Sequence, residues 1–247
     1  INWSSSANGN SIFTLACLSV AWNGSLWVAG GVGTTDTIAT SEDGITWTGI
    51  GNSVFDGLCM SVAWNGSLWV AGGSGINKLA YSYDGINWTG LGTTIFTNGF
   101  GINWNGTIWV AVGQVTNAIA YSYNGINWTG LGTTIIGTGY GIAWNGSQWI
   151  AVGSGTNSIA YSSNGINWTT SGLPTGVANW VSIAWSDDLN LFAAIAQSFS
   201  NSSIMTSPDG INWTLRTAFN SQWWQIIYAQ NKFIAISTNS LITSIDG

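Results

Sequence analysis

The chain has 247 residues, 45% hydrophobic but only 5% charged, with nine acids, three bases and no histidine. An average soluble protein carries roughly 25% charged residues, so this surface must stay in solution through Ser, Thr, Asn and Gly. Three scattered cations (Lys78, Arg216 and Lys232) exclude a phosphate-gripping nucleic-acid interface, and no apolar run reaches the ~18 residues of a membrane span.

The chain opens on "INW" with no methionine and no signal peptide, which predicts a domain or ordered core cut from something longer. A strand pattern follows at Leu18–Trp22, "LSVAW", in which small and large apolar residues alternate. Asn23-Gly24 then predicts a tight hairpin turn of type I′, which needs positive φ at both central residues. "SLWVAGG" reads as the second strand, a Gly/Thr-rich loop leads to a third, "IATS", and the phrase "SEDGITW" turns into a fourth. The same four-strand sentence then repeats, with first strands near 18–22, 60–64, 100–104, 140–144, 181–185 and 224–228. The first aromatics, Trp22, Trp64, Trp104, Trp144, Trp185 and Tyr228, recur every 40–43 residues. Cys17 and Cys59 stand at equivalent places in adjacent repeats and read as two small buried thiols. Their spacing fits neither a zinc site nor a disulfide framework.

The turn phrase appears as "SEDGITW" from Ser41, "SYDGINW" from Ser82, "SYNGINW" from Ser122, "SSNGINW" from Ser162 and "SPDGINW" from Ser207. The C-terminal "SIDG" and the N-terminal "INW" together spell a sixth copy, and the wrap from Tyr228 to Trp22 keeps the period. A linear solenoid gives no reason for that; a closed ring does. The expectation is an all-β, six-bladed β-propeller over residues 1–247, a single domain of four-stranded blades. Residues 1–4, with Trp3 packed inward, pair with the C-terminal blade at Leu241–Ser244 to close the circle.

The phrase S-x-D/N-G-x-x-W resembles the Asp-box, or sialidase-type, propeller repeat, one residue shorter between Asp and Gly than the usual box. The tandem form is similar to propeller repeats of giant-virus and bacteriophage surface proteins. The resemblance covers the whole chain and implies that the box acid ties the turn joining strands three and four. Sialidases on this fold grip a substrate carboxylate with three arginines and attack with a Tyr/Glu pair. This chain has one arginine, Arg216, and one glutamate, Glu42, so that mechanism is not expected. Without histidine, the usual Ser- or Cys-centred triads also lack their base.

Asp43, Asp84, Asn124, Asn164, Asp209 and Asp246 occupy the box position. Asn keeps the hydrogen bonding and drops the charge, so a structural turn role covers all six, with no metal and no cofactor. Asp187-Asp188 reads as a solvated turn rather than a calcium site, because no third acid is near in sequence. The repeated Trp positions read as packing between blades. Asn-x-Ser/Thr sequons make Asn23, Asn65, Asn105, Asn145 and Asn201 candidate glycosylation sites, although turn chemistry alone explains many of them.

Blades five and six break the repeat. The stretch "TLRTAFNSQWW", Thr214–Trp224, reads as a variable loop joining them. Its Arg216, Asn220 and Gln222 are candidate polar contacts to a ligand, and Trp223 a stacking or packing element. No catalytic residue is assigned. The expected function is a non-enzymatic recognition or attachment module at an extracellular or virion surface, with glycans or a surface protein as partner. The alternatives are a capsid or fibre component contacting neighbouring subunits, and thirdly a glycan hydrolase. Neither nucleic acid nor membrane insertion is expected.

Overall fold

The computed structural model describes Ser6 and residues 8–172, 179–198, 203–217, 221–237 and 240–246. Residues 1–4, Asn201 and Asn220 lie outside the described residues. Among the described residues one helical turn, α1 (Gly9–Ile12), precedes elements that are all strands, and no described helix is long and apolar enough to cross a membrane.

The first sheet holds β1 (Ala16–Trp22), β2 (Trp27–Val32), β3 (Ile38–Ser41) and β4 (Thr48–Gly49) in chain order. The second repeats it with β5 (Leu58–Trp64), β6 (Trp69–Ser74), β7 (Leu79–Ser82) and β8 (Thr89–Gly90). The third has β9 (Asn98–Trp104), β10 (Trp109–Gln114), β11 (Ile119–Ser122) and β12 (Thr129–Gly130). The fourth has β13 (Thr138–Trp144), β14 (Trp149–Ser154), β15 (Ile159–Ser162) and β16 (Thr169–Thr170). The remaining strands are β17 (Trp180–Ser186), β18 (Leu191–Ser198), β19 (Ile204–Ser207), β20 (Thr214–Arg216), β21 (Ser221–Ala229), β22 (Lys232–Ser237) and β23 (Leu241–Ser244). They form one seven-stranded sheet, in which β17 to β20 repeat the pattern and β21 to β23 supply three further strands. First strands begin earlier than the sequence suggests, and fourth strands are only two or three residues long.

Two compact units divide the described residues. One runs to Ala111 and takes in Ser122–Thr129; the other holds Val112–Tyr121 and the described residues from Gly130 onward. In the first unit, Val28 and Ile38 of one sheet pack against Phe55, Val62, Trp69 and Ala71 of the next. The Ser19 hydroxyl also accepts the Val62 N–H at 3.1 Å, and Ser61 does the same for Ile102 at 3.2 Å. In the second unit, Ile150 and Ile159 pack against Phe192, Ala194 and Met205. There Ser182 accepts the Ile226 N–H at 3.2 Å. Where the first strand carries serine at this place, as at Ser19, Ser61 and Ser182, its hydroxyl thus satisfies a first-strand N–H of the next repeat, whereas Gly101 and Gly141 hold the place in the third and fourth repeats.

An aromatic pair closes every first hairpin. Trp22–Trp27, Trp64–Trp69, Trp104–Trp109 and Trp144–Trp149 have ring centroids 4.8, 4.9, 5.2 and 5.0 Å apart. Trp185–Phe192 and Tyr228–Phe233 replace them at 4.5 and 5.0 Å. These are directly opposed cross-strand neighbours, the pairs that fix register most strongly.

The hairpin turns correct the type I′ expectation. Gly24 has φ +101°, but Asn23 is not in the positive-φ region. Instead its side chain takes the turn's donors: Asn23 Oδ1 accepts from Ser25 N at 2.8 Å and Leu26 N at 2.7 Å. The side-chain oxygen does locally what a backbone carbonyl does in a type I′ turn. Positive φ at both central residues occurs in the glycine-free sixth hairpin, at Gln230 (50°) and Asn231 (60°).

The box glycine has less freedom than its neighbours. Gly85 has φ +78°, and a Cβ there would meet Leu26 and Val28 of the preceding sheet at 3.0 Å. Gly85→Ala therefore combines a left-handed backbone with an overlap, and should destabilise by at least about 1–2 kcal/mol. Gly66→Ala, where nothing lies within 4 Å, should cost less. Chemical denaturation of both variants checks the order.

Candidate functional site

The box acids are engaged in their own turns. Asp84 Oδ1 accepts Ser82 Oγ at 2.9 Å, Ile86 N at 2.9 Å and Asn87 N at 2.7 Å, while Oδ2 accepts Asn87 Nδ2 at 2.8 Å. Asp209 repeats all four contacts, and Asp43 repeats the three on Oδ1. Asn124 and Asn164 make the same three bonds through Oδ1. Asp246 accepts Ser244 Oγ at 2.7 Å, so the sixth turn is begun in the same way. For Asp84, the Asn87 side-chain and backbone donors hold the carboxyl far below the usual carboxylate range. For Asp209, slight burial opposes ionisation but the Asn212 and Ile211 donors outweigh it, and the direction is again down. These are carboxylates stabilised as anions, the opposite of what a general acid needs.

Asp187 and Asp188 are also engaged. Asp187 Oδ1 accepts the Trp185 indole N–H at 2.7 Å, and Asp188 Oδ2 accepts the Tyr228 hydroxyl at 2.9 Å, tying the β17–β18 turn to β21. No group of three or more His, Cys, Asp or Glu among the described residues could hold a metal ion. Both cysteines are free; Cys59 is buried as expected, and burial pushes its thiol well above the ordinary range, but Cys17 corrects the expectation of two buried thiols, because β1 leaves it exposed.

The Thr214–Trp224 stretch is largely strand where the sequence suggested loop. β18 extends past its own hairpin and pairs with β21 through Gln197↔Gln222 and Ser198↔Ser221, so Gln222 sits in a ladder. Trp223 is fully buried, its indole N–H donating to Ser203 Oγ at 3.0 Å, and of its two expected roles it takes packing. Arg216 is exposed at the end of β20, with Nε on Thr206 Oγ1 at 2.8 Å. It stands at the rim of a groove of about 320 Å³ whose apolar walls are Ala193, Ile204, Phe233, Ala235 and Ile242. Asn220 lies outside the described residues.

A feature the sequence did not suggest lies on the first strands. Their registers slip by one residue between Cys17 and Ser19, Cys59 and Ser61, Gly139 and Gly141, Trp180 and Ser182, and Trp223 and Gln225. The bulged residues are Leu18, Met60, Tyr140, Val181 and Trp224. A bulge re-aims one side chain out of the pleat, and here that side chain is apolar and different in every repeat. Leu18 is 36% and Trp224 53% exposed. Phe100 holds the matching position in the third repeat's sequence. The available signal was variation in size at one position inside near-identical repeats.

No protein-family model matches the chain, and neither does any curated protein sequence. Solved structures do. The virginiamycin B lyase from Staphylococcus aureus superposes with a TM-score of 0.75 at 12% identity, over 92% of this chain and 83% of that one. A chain of the nidogen/laminin complex gives 0.66 at 11% identity, covering 88% of each. A chain of the mitotic checkpoint complex gives 0.66 at 12%, over 93% of this chain and 77% of that one. The fold is a β-propeller. At such identities the likeness carries the propeller architecture alone, and the lyase among these neighbours assigns this propeller no chemistry.

The propeller's box acids make its acid sensitivity predictable. A carboxyl whose folded pKa lies below its unfolded value stabilises the fold above the ordinary Asp pKa of about 3.9. That contribution disappears as pH falls below it. The melting temperature should hold from neutrality to about pH 4 and then drop, and Asp84→Asn with Asp209→Asn should reduce the drop. At pH 7, Asp84→Asn keeps the Oδ1 bonds and loses only the acceptor for Asn87 Nδ2, whereas Asp84→Ala removes all four. The alanine variant should be the less stable by about 0.5–1.5 kcal/mol. Equal losses would show that charge, not acceptor geometry, matters at the turn.

Proposed function

We propose that this chain is a closed, six-bladed propeller of the Asp-box type that acts as a non-enzymatic recognition or attachment module, with glycans as ligands, at an extracellular or virion surface. The observation that carries this reading is the set of bulged side chains. A near-invariant scaffold, locked by repeated boxes and hairpin pairs, carries a different side chain at one first-strand place in each repeat, Leu18, Met60, Phe100, Tyr140, Val181 and Trp224, of which Leu18 and Trp224 are exposed while Val181 packs on the sheet core. Invariant framework with variable presented side chains is how a rigid protein acquires a specific surface. Aromatic faces such as Tyr140 and Trp224 suit the C–H side of a sugar ring, and Arg216 and Gln222 in the same second unit supply planar polar groups for hydroxyls. Modification of the sequon residues Asn23, Asn65, Asn105 and Asn145 would add carbohydrate to the hairpin turns.

The box carboxylates weigh against hydrolysis, because glycosidases need two carboxyls facing one bond about 5–9.5 Å apart, and here the acids are spent on turn backbone. A capsid or fibre role is favoured instead by the exposed box tyrosines, Tyr83 (69%) and Tyr123 (63%), since exposed aromatics also mark protein interfaces.

A glycan array probed with the isolated protein, followed by titration of hits against Trp224→Ala and Arg216→Ala, tests the recognition reading. At least one variant should lose about tenfold in affinity, equivalent to about 1.4 kcal/mol, with its melting temperature unchanged. Full binding by both folded variants, or an array without hits, would remove glycan recognition and leave the structural role.

A further inference from the structure

We infer that the four Asn-Gly hairpin turns are sites of self-catalysed deamidation. Asn23, Asn65, Asn105 and Asn145 become aspartate or isoaspartate in the folded protein, while the Asn-Gly pairs elsewhere in the chain are protected. This chemistry needs no ligand and does not depend on the recognition reading.

The reaction takes a backbone nitrogen, a side-chain amide and water. The nitrogen of the following glycine gives its proton to solvent and bonds to the asparagine Cγ. The Cγ–Nδ2 bond breaks, ammonia leaves with a proton, and a cyclic imide remains. Water then opens the imide at either carbonyl, giving aspartate or isoaspartate, and nothing is oxidised or reduced. Negative charge builds on Oδ1 as the nitrogen attacks, so donors already aimed at Oδ1 lower the barrier. Asn23 Oδ1 accepts Ser25 N at 2.8 Å, Ser25 Oγ at 3.1 Å and Leu26 N at 2.7 Å. Asn65 and Asn145 repeat all three bonds, and Asn105 repeats the two from backbone N–H groups.

The Asn boxes hold their Oδ1 in the same way, so the nucleophile separates the two classes. In the first hairpin neither the Gly24 N–H nor the Asn23 Nδ2 has a hydrogen-bond partner among the described residues, and the three later copies agree. Gly24, Gly66, Gly106 and Gly146 are exposed, and nothing described lies within 4 Å of where a Cβ would stand. In the boxes, the N–H groups of Gly125 and Gly165 each donate to a serine hydroxyl at 2.9 Å, and both glycines are buried. A Cβ on Gly125 would meet Leu68 at 2.6 Å, so the turn has no room to swing its nitrogen onto Cγ. Asn8-Gly9 is held at both ends. The Gly9 N–H donates to Ser6 Oγ at 2.8 Å, and the Asn8 amide bonds the Trp47 backbone through Nδ2 at 2.6 Å and Oδ1 at 3.0 Å. Asn98-Gly99 lies within β9, where Gly99 is buried close to the Lys78 carbonyl.

An aspartate product suits the turn, because Asp84 and Asn124 already take the same three donors on Oδ1 in their boxes. Full conversion adds four negative charges to a chain whose net charge is −6. A sugar on Nδ2 would occupy the leaving nitrogen, so glycosylation and deamidation compete for the same four residues.

Deamidation rates measured residue by residue test this. The full chain is kept folded in mildly alkaline heavy-oxygen water, digested with chymotrypsin and mapped by mass spectrometry. Labelling with isoaspartyl methyltransferase marks the isoaspartate product. The four hairpin asparagines should convert at least about tenfold faster than Asn124 and Asn164. The same mapping in denaturant separates fold from sequence, since the hairpins read Asn-Gly-Ser, Asn-Gly-Thr or Asn-Gly-Ser and the boxes Asn-Gly-Ile. Unfolding should release the box sites and close most of that gap. Hairpin rates no higher than box rates in the folded chain overturn the proposal. A gap that persists undiminished in denaturant overturns it too, because the neighbouring side chain would then set the rate.

Discussion

The indole at the end of each box is the element on which the rest of the propeller depends. It reaches from its own turn into a socket shared with the preceding sheet, as Trp88 and Trp213 show. Placing it there forces the box glycine into a left-handed conformation, since Gly85 and Gly210 have φ of +78° and +66° and press on the neighbouring sheet. That in turn requires a side chain to hold the turn's amides, and the Asp or Asn oxygen does so. Serine, acid, glycine and tryptophan are therefore four parts of one contact. This is why the phrase recurs almost unchanged while the loops drift.

The arrangement also explains why so little charge is needed. Stability comes from indole and aliphatic burial between sheets, supplemented by single hydroxyl ties such as Ser19 to Val62 and Ser182 to Ile226. Some donors remain without acceptors: the indole N–H groups of Trp69, Trp109, Trp149 and Trp180 are buried with no hydrogen-bond partner among the described residues. Such groups cost about 1–3 kcal/mol each when desolvated. Phe192 and Phe233 occupy the strand position of Trp69, Trp109 and Trp149 without that liability, so the indole there serves size rather than hydrogen bonding.

Much of this was legible in the sequence because the contacts are local. Asp84 bonds to residues two and three places away, and the Trp22–Trp27 pair spans one hairpin. A period of 40–43 residues then carries each local reading to every copy. What escaped was whatever depends on the opposite strand. The bulges at Leu18, Met60 and Trp224 are offsets between two ladders and leave no gap in either sequence. The turn type was misjudged because the Asn23 side chain replaced backbone geometry that Asn-Gly usually supplies. Gln222 and Trp223 looked like loop residues because their repeat signature is broken, yet β18 runs on to pair with β21 and takes them into the sheet.

Because an indole such as Trp88 or Trp213 packs with two sheets at once, the forty-residue phrase of the sequence is not the cooperative unit of the structure. An excised repeat would present half of one socket and the plug of another, and neither half is stable alone. The smallest self-sufficient piece is a sheet together with the turn of its successor. Duplication by whole phrases would therefore always leave two complementary ends, whichever residue the copy began with.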